Sequence, residues 1–155
     1  MRASGTLDPM RFSLQVQYAI CGVFDLAYNG HGEPVHIRVI SERQAIPTRY
    51  LEQIFQRLRR AELVTSKRGP GGGYSLAREP GRISLREVLE AVEGPLESAL
   101  HLPGEAGAGG FRPDFVWGAL AARLGRALAE LSVEDLCREA AAAGVERAEG
   151  PMYFI

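Results

Sequence analysis

Between positions 14 and 28, Tyr18, Ala19, Gly22, Val23, Leu26 and Ala27 recur three and four residues apart, the spacing of one apolar helix face. Ser13 supplies a cap for that helix, and Asn29-Gly30-His31-Gly32 stops it. Pro34 to Ile37 is a short extended piece. Arg38 to Gln44 reads as a second, short helix with Val39 and Ile40 turned inward. Ala45-Ile46-Pro47 is a turn, and Pro47 sits where a helix tolerates proline, at its start. The third helix runs to about Ala61. Tyr50, Leu51, Ile54, Phe55 and Leu58 make its buried stripe. Thr48, Arg49, Glu52, Gln53, Gln56, Arg57, Arg59 and Arg60 are left for the outside.

The periodicity then changes. Leu63 to Lys67 and Tyr74 to Ala77 are β-type segments around Arg68-Gly69-Pro70-Gly71-Gly72-Gly73, which cannot continue a helix. A hairpin with a glycine tip, carrying Lys67 and Arg68 and no acid, follows from that pattern. Helix, short helix, turn, polar-faced helix and hairpin is the order of a winged helix-turn-helix domain. A lone helix fits the major groove, and a cationic hairpin reaches phosphate or the minor groove.

Beyond the wing, Ser84 with Glu87 is a capping box that opens a helix to about Glu93. Leu96 to Pro113 is glycine-rich and reads as a loop. Asp114 caps a long helix to about Leu131, with Trp117, Leu120, Ala121, Leu124, Ala127, Leu128 and Leu131 in one apolar stripe. That stripe either packs back on its own chain or crosses a second copy; the dimer reading is preferred, since paired half-sites need two readers. Ser132 caps a last helix to about Ala143. The expected fold class is mostly α with a small β-hairpin wing, ending in a long dimerisation helix. The expected layout is an extension or tag remnant over 1–9, the DNA-binding domain over 10–82 and a linking helix with a sensor loop over 83–113. Dimerisation helices follow over 114–143, then a tail over 144–155 whose apolar end, Met152 to Ile155, has no assigned place.

Composition narrows the function classes. The apolar fraction of 46% is enough for a core, and no apolar run is long enough to span a membrane. No secretory signal is read at the N-terminus. Cys21 and Cys137 lie far apart in helical patterns, which suits a reducing cytoplasm better than a disulfide framework. The net charge of −1 conceals a split: residues 10–82 hold 11 basic and 6 acidic side chains, and residues 83–155 hold 6 and 12. A basic front half fits a polyanion partner. The glycine loop lacks the Lys-Ser/Thr ending of a nucleotide P-loop, and no catalytic pair stands at a convincing spacing, so no enzyme is expected.

Several segments together resemble the Rrf2 family of bacterial transcription regulators. They are Met10 to Ser13, Tyr18-Ala19, Tyr50 to Phe55, Leu58 to Val64, Arg68 to Arg78, and Ile83 with Glu87-Val88 and Ala91 to Gly94. The match is close over residues 10–94; the long helix agrees in kind. The resemblance implies a homodimer, a repressor, on a palindromic operator in double-stranded DNA. Carried over by position, it puts Pro47, Thr48, Arg49, Tyr50, Glu52 and Gln53 near the bases and Arg68 in a groove, with Arg57 and Lys67 beside them. Trp117, Leu120, Leu124, Leu128 and Leu131 become the dimer stripe.

Many members of that family hold an iron–sulfur cluster with three cysteines between the post-wing helix and the long helix. Here residues 94–113 contain no cysteine, so no cofactor is expected. The alternative keeps a cluster or metal on non-standard ligands: Cys21, His101 and one of His31 or His36 across a dimer. The signal could instead be a small molecule under the 94–113 loop, a partner protein, or oxidation of Cys21. A third reading is an interaction module that no longer binds DNA.

Overall fold

The computed structural model describes residues 12–100 and 113–148. Thus 1–9, His101 and Met152 to Ile155 lie outside the described residues. The elements are α1 (Leu14–Asn29), α2 (Ile37–Gln44), α3 (Thr48–Arg60), β1 (Val64–Lys67), β2 (Gly73–Leu76), a 3₁₀ turn (Pro80–Arg82), α4 (Leu85–Glu93), α5 (Leu96–Ala99), α6 (Phe115–Glu130) and α7 (Val133–Ala142). Most follow the hydrophobic pattern closely, because their ends carry local signals. Ser13 Oγ accepts from the Val16 N–H to start α1. Ser84 with Glu87, and Ser132 with Asp135, form reciprocal capping boxes for α4 and α7.

One core runs through the whole set. Val16, Ala19, Val23 and Leu26 of α1 meet Ile40 of α2, Leu51, Ile54, Phe55 and Leu58 of α3, and Val88, Leu89 and Val92 of α4. Val133 of α7 closes it, and its N–H donates to the Ile83 carbonyl at 2.9 Å. Gly22 is the close-approach point of α1 and α3: a Cβ there would stand 2.6 Å from the Phe55 ring. Burying a Phe or Leu in such a core contributes about 1.5–3 kcal/mol each, so α1 and α3 are held chiefly by apolar area.

The wing is more than a hairpin. β1 and β2 pair antiparallel, Val64 opposite Leu76 and Lys67 opposite Gly73. Val35, from the extended piece before α2, adds a one-residue third strand along β2 by exchanging two 2.8 Å hydrogen bonds with Tyr74. Gly73 sits at φ +144°, and any Cβ there would overlap the Val35 backbone. Glycine is therefore required for this pairing, not merely tolerated. Tyr74 also meets Phe55 edge-on at 4.7 Å between ring centres, which ties the wing to α3.

Four expectations are corrected. Val39 is exposed, while Ile40 alone of that pair is buried. Tyr50 is half exposed and leaves the buried stripe of α3. The segment after Pro95 is a short helix, α5, where a loop was expected; Leu96 anchors it in the core. Asp114 has helical dihedrals and no side-chain cap bond, so α6 starts without the expected cap.

Candidate nucleic-acid interface

The helix-turn-helix is set by a polar lock beneath it. Asp25 of α1 is fully buried. It accepts from Arg43 Nη2 at 2.6 Å, Arg43 Nε at 3.1 Å and Gln44 Nε2 at 2.9 Å, all from the end of α2. Asn29 Nδ2 adds a fourth bond at 3.2 Å. A buried carboxylate is tolerable only with this degree of pairing. Ala45 closes α2 in the left-handed region at φ 53°. Ser41 Oγ donates to the Ile46 carbonyl and accepts from Thr48 Oγ1 at 2.9 Å, which fixes the turn into α3. Asp25 was invisible to hydrophobic patterning. Its one signal is an acid on the apolar face of α1 with Asn29 four residues on.

With α3 so held, Pro47, Arg49, Tyr50, Glu52 and Gln53 all stand exposed along its first two turns. Arg49 lies 5.9 Å from the centre of the Tyr50 ring. No side chain caps the start of α3, which leaves the positive end of that helix open. Lys67 and Arg68 are exposed on the wing. Among the described residues, Arg49, Lys67 and Arg68 form no ion pair within 4.0 Å. Arg59 Nη1 reaches Ser66 Oγ at 3.3 Å, a second tie between α3 and the wing.

Two residues expected at this face are engaged elsewhere. Thr48 spends its hydroxyl hydrogen on Ser41. Arg57 turns to α1 and α4, donating to Gln15 Oε1 and to the Val92 carbonyl, the latter at 3.2 Å.

The α6 stripe divides. Ala121 and Gly125 are buried, and Leu124 and Leu128, with Leu131 just beyond the helix, pack against the chain's own core. Leu120 is 46% exposed and Phe115 79%, whereas Ala127 is exposed. Trp117 is half-buried, and its indole N–H has no partner among the described residues. One side of the stripe thus packs on the same chain, beside α4 and α5, and Phe115 and Leu120 mark the uncovered side of α6.

Of the candidate metal ligands, His101 lies outside the described residues, and Cys21, His31 and His36 lie within them. Among the described residues, no three histidines, cysteines or carboxylates are grouped to hold an ion. Cys21 and Cys137 are both part-buried. Burial pushes the Cys21 thiol above its ordinary value, with its own backbone hydrogen bond opposing. Burial also raises Cys137; Arg147 opposes and Glu134 reinforces the shift. Neither is therefore a ready thiolate. His36 Nδ1 caps α2 by accepting from the Arg38 N–H at 3.2 Å, and His31 is an exposed turn residue at φ 49°.

Comparison with known proteins agrees with the fold. Residues 12–139 match the Rrf2 family model, described as an iron-dependent transcriptional regulator. The HTH-type transcriptional regulator IscR of Xenorhabdus nematophila is 40% identical over 131 residues, spanning 83% of this chain and 80% of that one. With a putative HTH-type transcriptional regulator, ORF2 of Azotobacter vinelandii, identity is 49% over 83 residues, but the match spans only 51% of that protein. Among solved structures, T. potens IscR superposes with a TM-score of 0.70 at 33% identity, covering 94% of this chain and 97% of that one. CymR, the global cysteine regulator of B. subtilis, gives 0.69 at 28% identity over 84% and 98%. No helix among the described residues is long and apolar enough to cross a membrane. By its sequence, its wing and its relatives, this chain belongs to the Rrf2 family of winged helix-turn-helix transcription regulators.

Proposed function

We propose that this regulator is a cytoplasmic homodimeric repressor that occupies a palindromic operator, without a three-cysteine iron–sulfur site. The observation that carries it is one exposed surface. The uncapped start of α3 presents Arg49, Tyr50, Glu52 and Gln53, and the wing tied to that helix presents Lys67 and Arg68 with no acid in ion-pair reach among the described residues. In this reading α3 enters the major groove, where Arg49 pairs with guanine and Gln53 with adenine. Glu52 accepts from cytosine or rejects other bases. Arg68 enters the neighbouring groove and Lys67 meets phosphate. Pro47 sets the approach of the backbone. Phe115 and Leu120, on the uncovered side of α6, supply the contact with a second copy, and Trp117 borders it.

Selection of bound fragments from random duplex DNA tests this. The expected product is an inverted repeat whose half-sites lie about one helical turn apart, bound by two chains. Recovery of sequences with no repeat, or binding by a single chain, would count against the dimer. A chain that enriches nothing would return the reading to an interaction module.

A further inference from the structure

Between the start of α1 and the flank of α3 lies a groove of about 290 Å³. Leu14 and Tyr18 of α1 and Tyr50 and Ile54 of α3 give it apolar and aromatic walls. Leu14 and Tyr50 remain 57% and 50% exposed, so folding leaves these two large groups in water at its rim. Arg57 also lines the groove, part-buried. Its guanidinium is met by the Gln15 side-chain oxygen and the Val92 carbonyl, both neutral. Among the described residues no carboxylate comes within ion-pair reach of it. Glu93, next in the chain to Val92, accepts instead from the Ser13 hydroxyl.

These features point to one kind of ligand. A part-buried cation held only by neutral oxygens is under-compensated, and an anion in their place adds Coulomb attraction to the charge-assisted bond. Two tyrosines and two aliphatic side chains favour flat rings over extended chains. The volume lies at the small end of ligand sites, which run to about 300–1,000 Å³, and suits one or two rings. We infer that the α1–α3 groove binds a small aromatic organic anion, with its rings on Tyr18 and Tyr50 and its charge on Arg57. Tyr50 and Gln53 line this groove and also belong to the DNA-facing surface, so ligand and operator compete for them. That coupling rests on the function proposed above, and it is reciprocal: whatever the ligand does to operator affinity, the operator does to ligand affinity.

Two dyes that share a ring system test the site on the full chain. Anilinonaphthalene sulfonate carries the anion, and N-phenylnaphthylamine lacks it. The informative variant is Gln15→Glu. Gln15 is exposed, its side-chain oxygen already meets Arg57, and a carboxylate in its place neutralises the guanidinium without changing shape. The wild type should take up one sulfonate dye per chain. Gln15→Glu should weaken that about tenfold or more while leaving the neutral dye within about twofold. Arg57→Lys should retain most sulfonate binding, and Arg57→Gln should lose it, with thermal melts confirming that each variant is folded. Equal binding of both dyes by wild type and Gln15→Glu would overturn the site, as would equal loss of both. A labelled operator fragment separates the two halves of the idea. Displacement of DNA by the sulfonate dye from wild type, but not from Gln15→Glu, supports the coupling. Groove binding with no effect on bound DNA overturns the coupling alone. A chain that takes the dye as predicted but no DNA overturns the proposed function and leaves the site standing.

Discussion

Asp25→Ala should be among the most damaging single changes in the helix-turn-helix. Asp25 is 0% exposed, and its partner Arg43 is 23% exposed at the side chain. Removing the carboxylate strips Arg43 of two bonds, at 2.6 and 3.1 Å, and strips Gln44 and Asn29 of one each. Loss of one partner from a buried pair costs about 3–5 kcal/mol. The partial exposure of Arg43 lets water recover some of that, which puts the expected loss at about 3 kcal/mol. For a chain of this length each kcal/mol moves the melting temperature by roughly 2–4 °C, so the drop should be about 6–12 °C. Arg43→Ala should cost a similar amount, because it leaves Asp25 buried with only two amides. The double variant is the decisive one. With both charges gone, neither is stranded, so it should be more stable than the sum of the singles by about 1.5 kcal/mol or more. The assay is urea unfolding at one fixed protein concentration, since dimerisation shifts apparent stability. Additivity of the two singles within about 0.5 kcal/mol would refute the lock.

Three other outcomes follow from single features. Gly73→Ala forces a side chain to φ +144° against the Val35 backbone; it should cost about 1–3 kcal/mol, read by thermal melting, and should loosen operator binding by displacing the wing. Burial works against ionisation of Glu87, yet the Ser84 N–H and the Arg78 guanidinium outweigh it and hold the carboxyl below its ordinary 4.5. That contribution is complete above pH 4.5 and is lost as pH falls through the depressed folded value, so Glu87→Gln should flatten the acid limb of a stability–pH curve in that window. Cys21 and Cys137, both raised by burial, should react with an aromatic disulfide reagent at about pH 8 at least tenfold more slowly in the native chain than in urea; equal rates would restore Cys21 as a redox sensor.

The helices were readable because their signals are local. Ser13, Ser84 and Ser132 announce their helices in the sequence, and each accepts the cap bond in the structure. What escaped reading depends on contacts between distant segments. Tyr50 has the spacing of a core residue, but α1 leaves it no cover. Leu124, Leu128 and Leu131 look like a free stripe until α4 and α5 are placed beside them. Val35 shows no strand pattern, because one residue of pairing to Tyr74 leaves no periodicity. The Arg57 contacts reach to residues 15 and 92, far beyond any local rule. The exposed set Pro47, Arg49, Glu52 and Gln53 was legible because a turn, a proline and a polar face are all local.

The central claim is that α3 and the wing act together on DNA. Fluorescence anisotropy of a duplex from upstream of the protein's own gene, titrated across a salt series beside a scrambled duplex, tests it most directly. Wild type should prefer the upstream duplex at every salt concentration. Arg68→Ala should bind more weakly with a shallower salt dependence, and Arg49→Ala should lose about 1–3 kcal/mol of preference over the scrambled duplex. Equal affinity of wild type for both duplexes, unchanged by either substitution, would contradict the account.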